Sequence, residues 1–135
     1  MKRFSSAIVV ACAFVAVSAE DAQAQQISGN ALYDACQDVG DGVKLGFCVG
    51  YLIGATEGQS WGAFVVLNQI SPTDGTEEAN DRINFFLRHC VPADASNQQL
   101  RDVAMQYLER NPASRHLPAR GLVWQAYLEA FPCDE

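Results

Sequence analysis

The chain has 135 residues, with 16 acidic against 9 basic side chains, 5 cysteines and a formal net charge of -7. That length fits one domain, and an apolar fraction of 49% with 19% charged residues places it among folded chains, not disordered ones. The acidic balance argues against a nucleic-acid surface and against docking on anionic lipid, both of which need clustered basic residues.

The beginning of the chain reads as an export signal. Lys2 and Arg3 form a positive start, Ala7 to Ala19 is almost wholly apolar or small, and Ala22-Gln23-Ala24 has the small-x-small form of a cleavage site. The apolar run is too short to span a bilayer. Cleavage after Ala24 predicts a mature domain from Gln25 to Glu135. It removes Lys2, Arg3, Glu20 and Asp21 together, so the net charge stays at -7. Val9-Val10-Ala11-Cys12 has the form of a lipoprotein box, but cutting there would leave a very short apolar core and strand Ala13 to Ala19 at an apolar mature terminus.

The mature chain reads as helix after helix. Asn30 can cap a first helix with Leu32, Ala35, Cys36 and Val39 on one face, and Gly40-Asp41-Gly42 ends it. A second helix is expected from near Val43 to about Asn68, although Phe64 to Leu67 also fits a short strand. Within it Gly46, Gly50, Gly54, Gly58 and Gly62 recur every four residues. Each costs up to about 1 kcal/mol of helix propensity relative to alanine. A row of glycines makes a flat groove that another helix backbone can approach closely. Leu45, Phe47, Val49, Tyr51, Leu52 and Ile53 cover the other faces, the pattern of a helix buried on all sides in the core.

Ser71-Pro72-Thr73-Asp74-Gly75 is a turn or loop. Thr76 followed by Glu77 and Glu78 marks a third helix, with acids well placed for its dipole and Ile83, Phe86 and Leu87 as its apolar side. Pro92 stops it just after Cys90. Ser96 with Gln99 is a capping box for a fourth helix carrying Leu100, Val103, Ala104, Tyr107 and Leu108 on one stripe. Asn111-Pro112 closes it, and Pro118 suits the first turn of a fifth. There Leu122, Val123, Ala126, Tyr127 and Ala130 face one way. Trp124, Leu128 and Phe131 form a second strip that is either deeply buried or meets a partner, leaving Arg120, Gln125 and Glu129 for solvent. The expected fold is an all-α bundle of four to five helices.

Cys12 leaves with the signal. Cys36, Cys48, Cys90 and Cys133 remain, an even set suited to disulfides in an oxidising compartment. Of the three pairings, Cys36–Cys48 and Cys90–Cys133 are favoured. The first pair flanks the Gly40–Gly42 turn, and the second ties the chain end to its middle. In the loop-entropy model they contribute about 3 and about 4 kcal/mol. No CxxC occurs and the only histidines are His89 and His116, so a metal site is not expected. His89 and Cys90 are neighbours in sequence but point to different sides of a helix, which argues against a thiol–imidazole pair. His116 reads as a surface histidine. Glu77, Glu78 and Asp81 read as a solvated face. No nucleophile elbow, phosphate loop or metalloprotease motif occurs. Neither an enzyme nor a cofactor is expected.

Several patterns occur in one order. A cysteine ends the first helix, followed by Cys48-Val49-Gly50-Tyr51-Leu52-Ile53-Gly54 and Cys90-Val91-Pro92. Gln99-Leu100 then leads to Tyr107-Leu108, Asn111-Pro112 and His116-Leu117-Pro118-Ala119. Ala126 and Ala130-Phe131-Pro132-Cys133 close the series. From Ala31 to Cys133 this series resembles the Rap/Tai family of immunity proteins of type VI secretion systems. The resemblance implies a helical, disulfide-containing periplasmic domain, often a homodimer, that binds and blocks a peptidoglycan amidase toxin. The matched residues carry structural roles, and none is a transferable catalytic or toxin-contact residue. The stretch from Gly54 to Cys90 is longer than the family pattern, and its loop Ser71, Pro72, Thr73, Asp74, Gly75 with Glu77 and Glu78 is the candidate contact surface for a protein partner. A different class also fits a small exported helical protein: an acid-stress chaperone that exposes apolar surface as its carboxylates protonate.

Overall fold

The computed structural model describes residues 26–73 and 75–133; the expected signal (1–24) and Asp74 lie outside them. Five α-helices follow in order: α1 Gly29–Gln37, α2 Gly42–Ile70, α3 Thr76–Leu87, α4 Asn97–Arg110 and α5 Ala119–Ala130, with a 3-10 turn at Pro112–Ser114 before the last. The fold is all-α, and Trp61 to Ile70 is helix, not strand.

The helix ends follow local chemistry. Ser28, not Asn30, caps α1: its Oγ accepts from the Ala31 amide at 3.2 Å. Asp41 caps α2, its Oδ1 accepting from the amides of Val43 and Lys44 at 2.9 and 3.1 Å. Ser96 Oγ accepts from the Gln99 amide at 3.1 Å, as the capping box predicts. α3 ends before Pro92 is reached. Arg88 turns into the left-handed region at φ 61° and its amide bonds to Asn84 O at 2.8 Å, closing the last turn.

The core is built from α1, the first half of α2, α4 and α5. Leu32, Cys36, Cys48, Leu52, Ala104, Leu108, Leu122, Val123 and Tyr127 are its buried residues. Cys36–Cys48 joins α1 to α2, and Cys90–Cys133 joins the chain after α3 to the chain after α5. The segment before α1 is laced to the α4–α5 connection. Gly29 donates to Leu117 O at 2.9 Å, Asn30 to Arg115 O at 2.7 Å, and Ala119 to Ile27 O at 2.8 Å. Gly29 is required there: a Cβ would press into Leu122 and lie 2.9 Å from Arg115 O.

Three expectations about packing are corrected. The second helix is not buried on all sides: of its 29 residues only Cys48, Leu52 and Ala63 are buried. At about 1.5 Å per residue α2 outruns the shorter helices that pack on it, and no element among the described residues covers its opposite face. The glycine row lies on that open face. A Cβ at Gly46, Gly50, Gly54, Gly58 or Gly62 would meet nothing within 4 Å. Within the described residues, no helix enters this row. On α3, Ile83 and Leu87 are covered as expected, but Phe86 is exposed, because α3 packs on α2 alone along most of its length. The second strip of α5 is covered from within the chain: Trp124 Nε1 donates to Leu87 O at 2.9 Å, and Phe131 packs on Tyr127 with ring centroids 6.0 Å apart.

Candidate interaction surface

The second half of α2 and the whole of α3 form an antiparallel hairpin outside the core cluster, an arm whose tip carries Ser71 to Thr73 and Gly75. Its apolar side chains greatly outnumber its buried ones. Trp61 is 66% exposed, Ile70 76% and Phe85 85%, with Val65, Val66 and Phe86 also open to solvent. Ala63 and Leu87 are the buried apolar residues of this part.

The arm holds its shape through one cation that the sequence reading left aside. Arg82 on α3 donates from Nη1 to Ser71 O at 2.7 Å and from Nη2 to Leu67 O at 3.3 Å. A guanidinium against the last carbonyls of α2 satisfies acceptors that a helix end leaves open and sits at the negative end of the helix dipole. At the start of α3, Glu77 and Glu78 occupy the first turn, where negative charge is favoured.

The predicted contact loop therefore sits at the tip of the arm. Ser71, Pro72, Gly75, Glu77 and Glu78 are exposed, and Thr73 is half-buried. Glu77 and Glu78 belong to the first turn of α3, as the helix start read at Thr76 predicts. A groove runs along each side of the arm. One, of about 520 Å³, lies between Trp61 and Phe64 of α2 and Thr76, Asn80 and Ile83 of α3, with Glu57 at its wall. The other, of about 740 Å³, is lined by Leu67 and by Glu78, Asp81, Arg82, Phe85 and Phe86. Trp61 and Phe64 stack with ring centroids 5.3 Å apart, so the first groove has an aromatic wall.

The glycine row continues the open side of α2 toward the body of the domain. At 100° per residue the glycines share this side with Val43, Phe47, Trp61 and Val65, all exposed. The predicted packing glycines and the predicted loop thus belong to one element. The exposed aromatics between and beside them were missed. Their only sequence signal is that α2 is apolar all round yet longer than the helices able to cover it.

Near the base of the arm, where α3 meets α5, His89 is 4% exposed and lies edge-on to Tyr127, ring centroids 5.9 Å apart. Neither ring nitrogen has a hydrogen-bond partner among the described residues. Burial pushes its pKa below the ordinary histidine value. His116 is exposed, with Nδ1 2.9 Å from Ala113 O. At the other end of the chain, the Lys44 ammonium 2.8 Å away holds the Asp38 carboxyl below its usual range.

All four cysteines of the described residues are disulfide-bonded, so none offers a thiol nucleophile. No group of three or more His, Cys, Asp or Glu among the described residues is placed to hold a metal ion. No described helix is long and apolar enough to cross a membrane. What the surface offers is apolar area with acidic margins, which is the chemistry of protein recognition.

Comparison with known proteins gives one result. The family model for Rap1a immunity proteins matches residues 28–133. No curated protein and no solved structure matches.

Proposed function

Since the chain belongs to the Rap1a immunity protein family, we propose that it protects a cell by binding and inhibiting a secreted effector, specifically a peptidoglycan amidase of a type VI secretion system met in the periplasm. The family match over nearly all of the described chain carries this reading. Two features support it. Both disulfides suit a protein exported by the signal read at 1–24. The arm supplies an apolar, acid-edged projection suited to enter an enzyme's groove, and an acidic domain steers toward a basic enzyme. The contact element on this reading is the arm, with Ser71 to Glu78 at its tip. The open glycine face of α2, left bare by the other described residues, is the surface on which two copies would pair as a homodimer.

Capture tests the proposal. The oxidised, tagged protein is used as bait in periplasmic and secreted extracts of its source. Stoichiometric recovery of a cell-wall amidase, and loss of that enzyme's activity on adding the protein, is the expected outcome. Recovery of no effector, or an amidase that stays active in the complex, refutes it. Replacing Ser71 to Glu78 by a short linker is expected to weaken the complex. Sedimentation of the protein alone tests the pairing of copies.

One observation favours the acid-stress chaperone as a second reading: His89 is buried and unpaired at the junction of arm and body. Apolar dye binding that stays flat from neutral to acid pH rules that reading out.

A further inference from the structure

The groove between Trp61 and Ile83 combines features that apolar docking alone does not use. Its aromatic wall is open: Trp61 is largely exposed, and its ring stacks on Phe64 with an interplanar angle of 29°. A carboxylate stands one helical turn away on the same side of α2, since Glu57 and Trp61 are four residues apart. Thr76 and Asn80 add hydrogen-bonding groups on the opposite wall.

The charge of that carboxylate is unanswered. Asp38, Asp102 and Glu129 each pair with a lysine or arginine, whereas Glu57 forms no ion pair among the described residues. Arg82 is the one basic residue in α3, and its guanidinium is committed to Ser71 O and Leu67 O. Around the groove's end of the arm stand Glu77, Glu78 and Asp81, all exposed. An aromatic face beside an unpaired carboxylate, in an acidic field, attracts a cation through both the ring quadrupole and Coulomb forces.

We propose that the groove is a receptor for a cationic side chain of a protein partner, an arginine or lysine laid across Trp61 with its charge on Glu57. Arginine fits best, because its planar guanidinium stacks on an indole and offers a fork of donors to a carboxylate. Thr76 and Asn80 are placed for the remaining donors. This deepens the immunity reading, resting on it only for the claim that the cation belongs to an effector.

The test needs no effector. The purified, oxidised, isotope-labelled protein is titrated with N-acetyl-arginine amide while amide and indole N–H resonances are followed. Trp61 and Trp124 give separate indole signals, so Trp124 serves as the internal control. Saturable movement of the Trp61 indole and the Asn80 side chain, with Trp124 still, is the expected result. The neutral analogue N-acetyl-norleucine amide is expected to move neither. Glu57→Gln is expected to weaken the arginine response about threefold, in the range of an exposed charge pair, and Trp61→Ala to abolish the response at Asn80. Both positions are exposed, so both variants are expected to keep the wild-type unfolding transition.

Three results overturn the proposal: no movement at Trp61, shifts confined to Glu77 and Glu78, or a Glu57→Gln protein that titrates as wild type does. Movement of Trp61 with chitooligosaccharide but not with the arginine probe also overturns it and assigns the groove to a saccharide. Failure here leaves the amidase capture standing. A positive titration with no effector captured keeps the cation site and removes the immunity reading.

Discussion

The two ends of α2 belong to one helix and live in different surroundings. At its start Cys48 and Leu52 are buried beneath α1, α4 and α5, and a disulfide holds Cys48 to Cys36. Toward its end Ala63 is buried, α3 is the main neighbour, and Trp61, Val65, Val66 and Ile70 face solvent. Helical structure is equally regular in both halves. Regular backbone therefore says little about how firmly a segment is held; the number of neighbours sharing its apolar surface decides that. The body spends its apolar residues on folding, while the arm leaves many of its own open to solvent.

The largest test of that contrast is truncation at each end. Leu52→Ala is expected to cost about 2–5 kcal/mol, since it opens a cavity in the core. Ile70→Ala is expected to stay within about 0.5 kcal/mol. Urea unfolding of both variants measures the difference, and similar losses would mean that the arm is part of the same cooperative core.

Next is the staple at the base of the arm. Replacing Cys90 and Cys133 by alanine is expected to lower stability by about 4 kcal/mol in the loop-entropy model. Hydrogen exchange in this variant is expected to rise most in α3, because the bond ties the α3 end to α5. An even rise across α1, α4 and α5 would instead place α3 within the body's own unfolding unit.

Glycine gives the sharpest comparison, since one substitution has opposite signs in two places. Gly29→Ala drives a methyl group toward Leu122 and the Arg115 carbonyl and is expected to destabilise by about 1–3 kcal/mol. Gly54→Ala adds the same methyl into open space and is expected to stabilise by up to about 1 kcal/mol through helix propensity. Thermal melting reads both. If the open face of α2 is where two copies meet, Gly54→Ala also shifts the sedimentation of the protein toward monomer.

The smallest effect is a pH dependence at the junction. Unfolded, His89 takes up a proton near the usual value of about 6.5; folded, it resists until lower pH. Between those two points the unfolded chain binds more protons, so the stability His89 contributes is present above about 6.5 and is lost as pH falls through the folded value. His89→Leu is expected to flatten that part of the profile, as read by urea midpoints across the acid range. An unchanged slope would place the acid sensitivity elsewhere.

Much of the body was legible in the residues. Ser96 and Pro118 announce helix starts by local chemistry, and the Gly40–Gly42 turn makes Cys36–Cys48 the natural short pairing. The arm was less legible, for physical reasons. A uniformly apolar helix does not reveal which side is covered, so α2 read as central when half of it projects. A regular glycine row drew attention to close packing, while the glycine packed tightly within the chain is the solitary Gly29, whose neighbours lie far away in sequence. Arg82 closes the end of α2 only because α3 folds back along it, and no motif encodes that. The turn signal at Ser71, Pro72 and Gly75 does mark exposed residues between two helices, but the Trp61 groove beside them arises from two helices meeting.

The order of the two disulfides has a consequence for how the protein is made. Among the described residues the cysteines pair in chain order, Cys36 with Cys48 and then Cys90 with Cys133. For a polypeptide threaded N-terminus first into an oxidising compartment, an oxidase that joins thiols in order of arrival produces the native set directly. In that setting the first bond can close before the second pair has emerged, and no mispaired bond has to be reshuffled by the slow thiol–disulfide exchange that an interlaced pattern would demand. On the proposed route of export, this wiring lets the chain reach its native bonds at the speed of its own delivery.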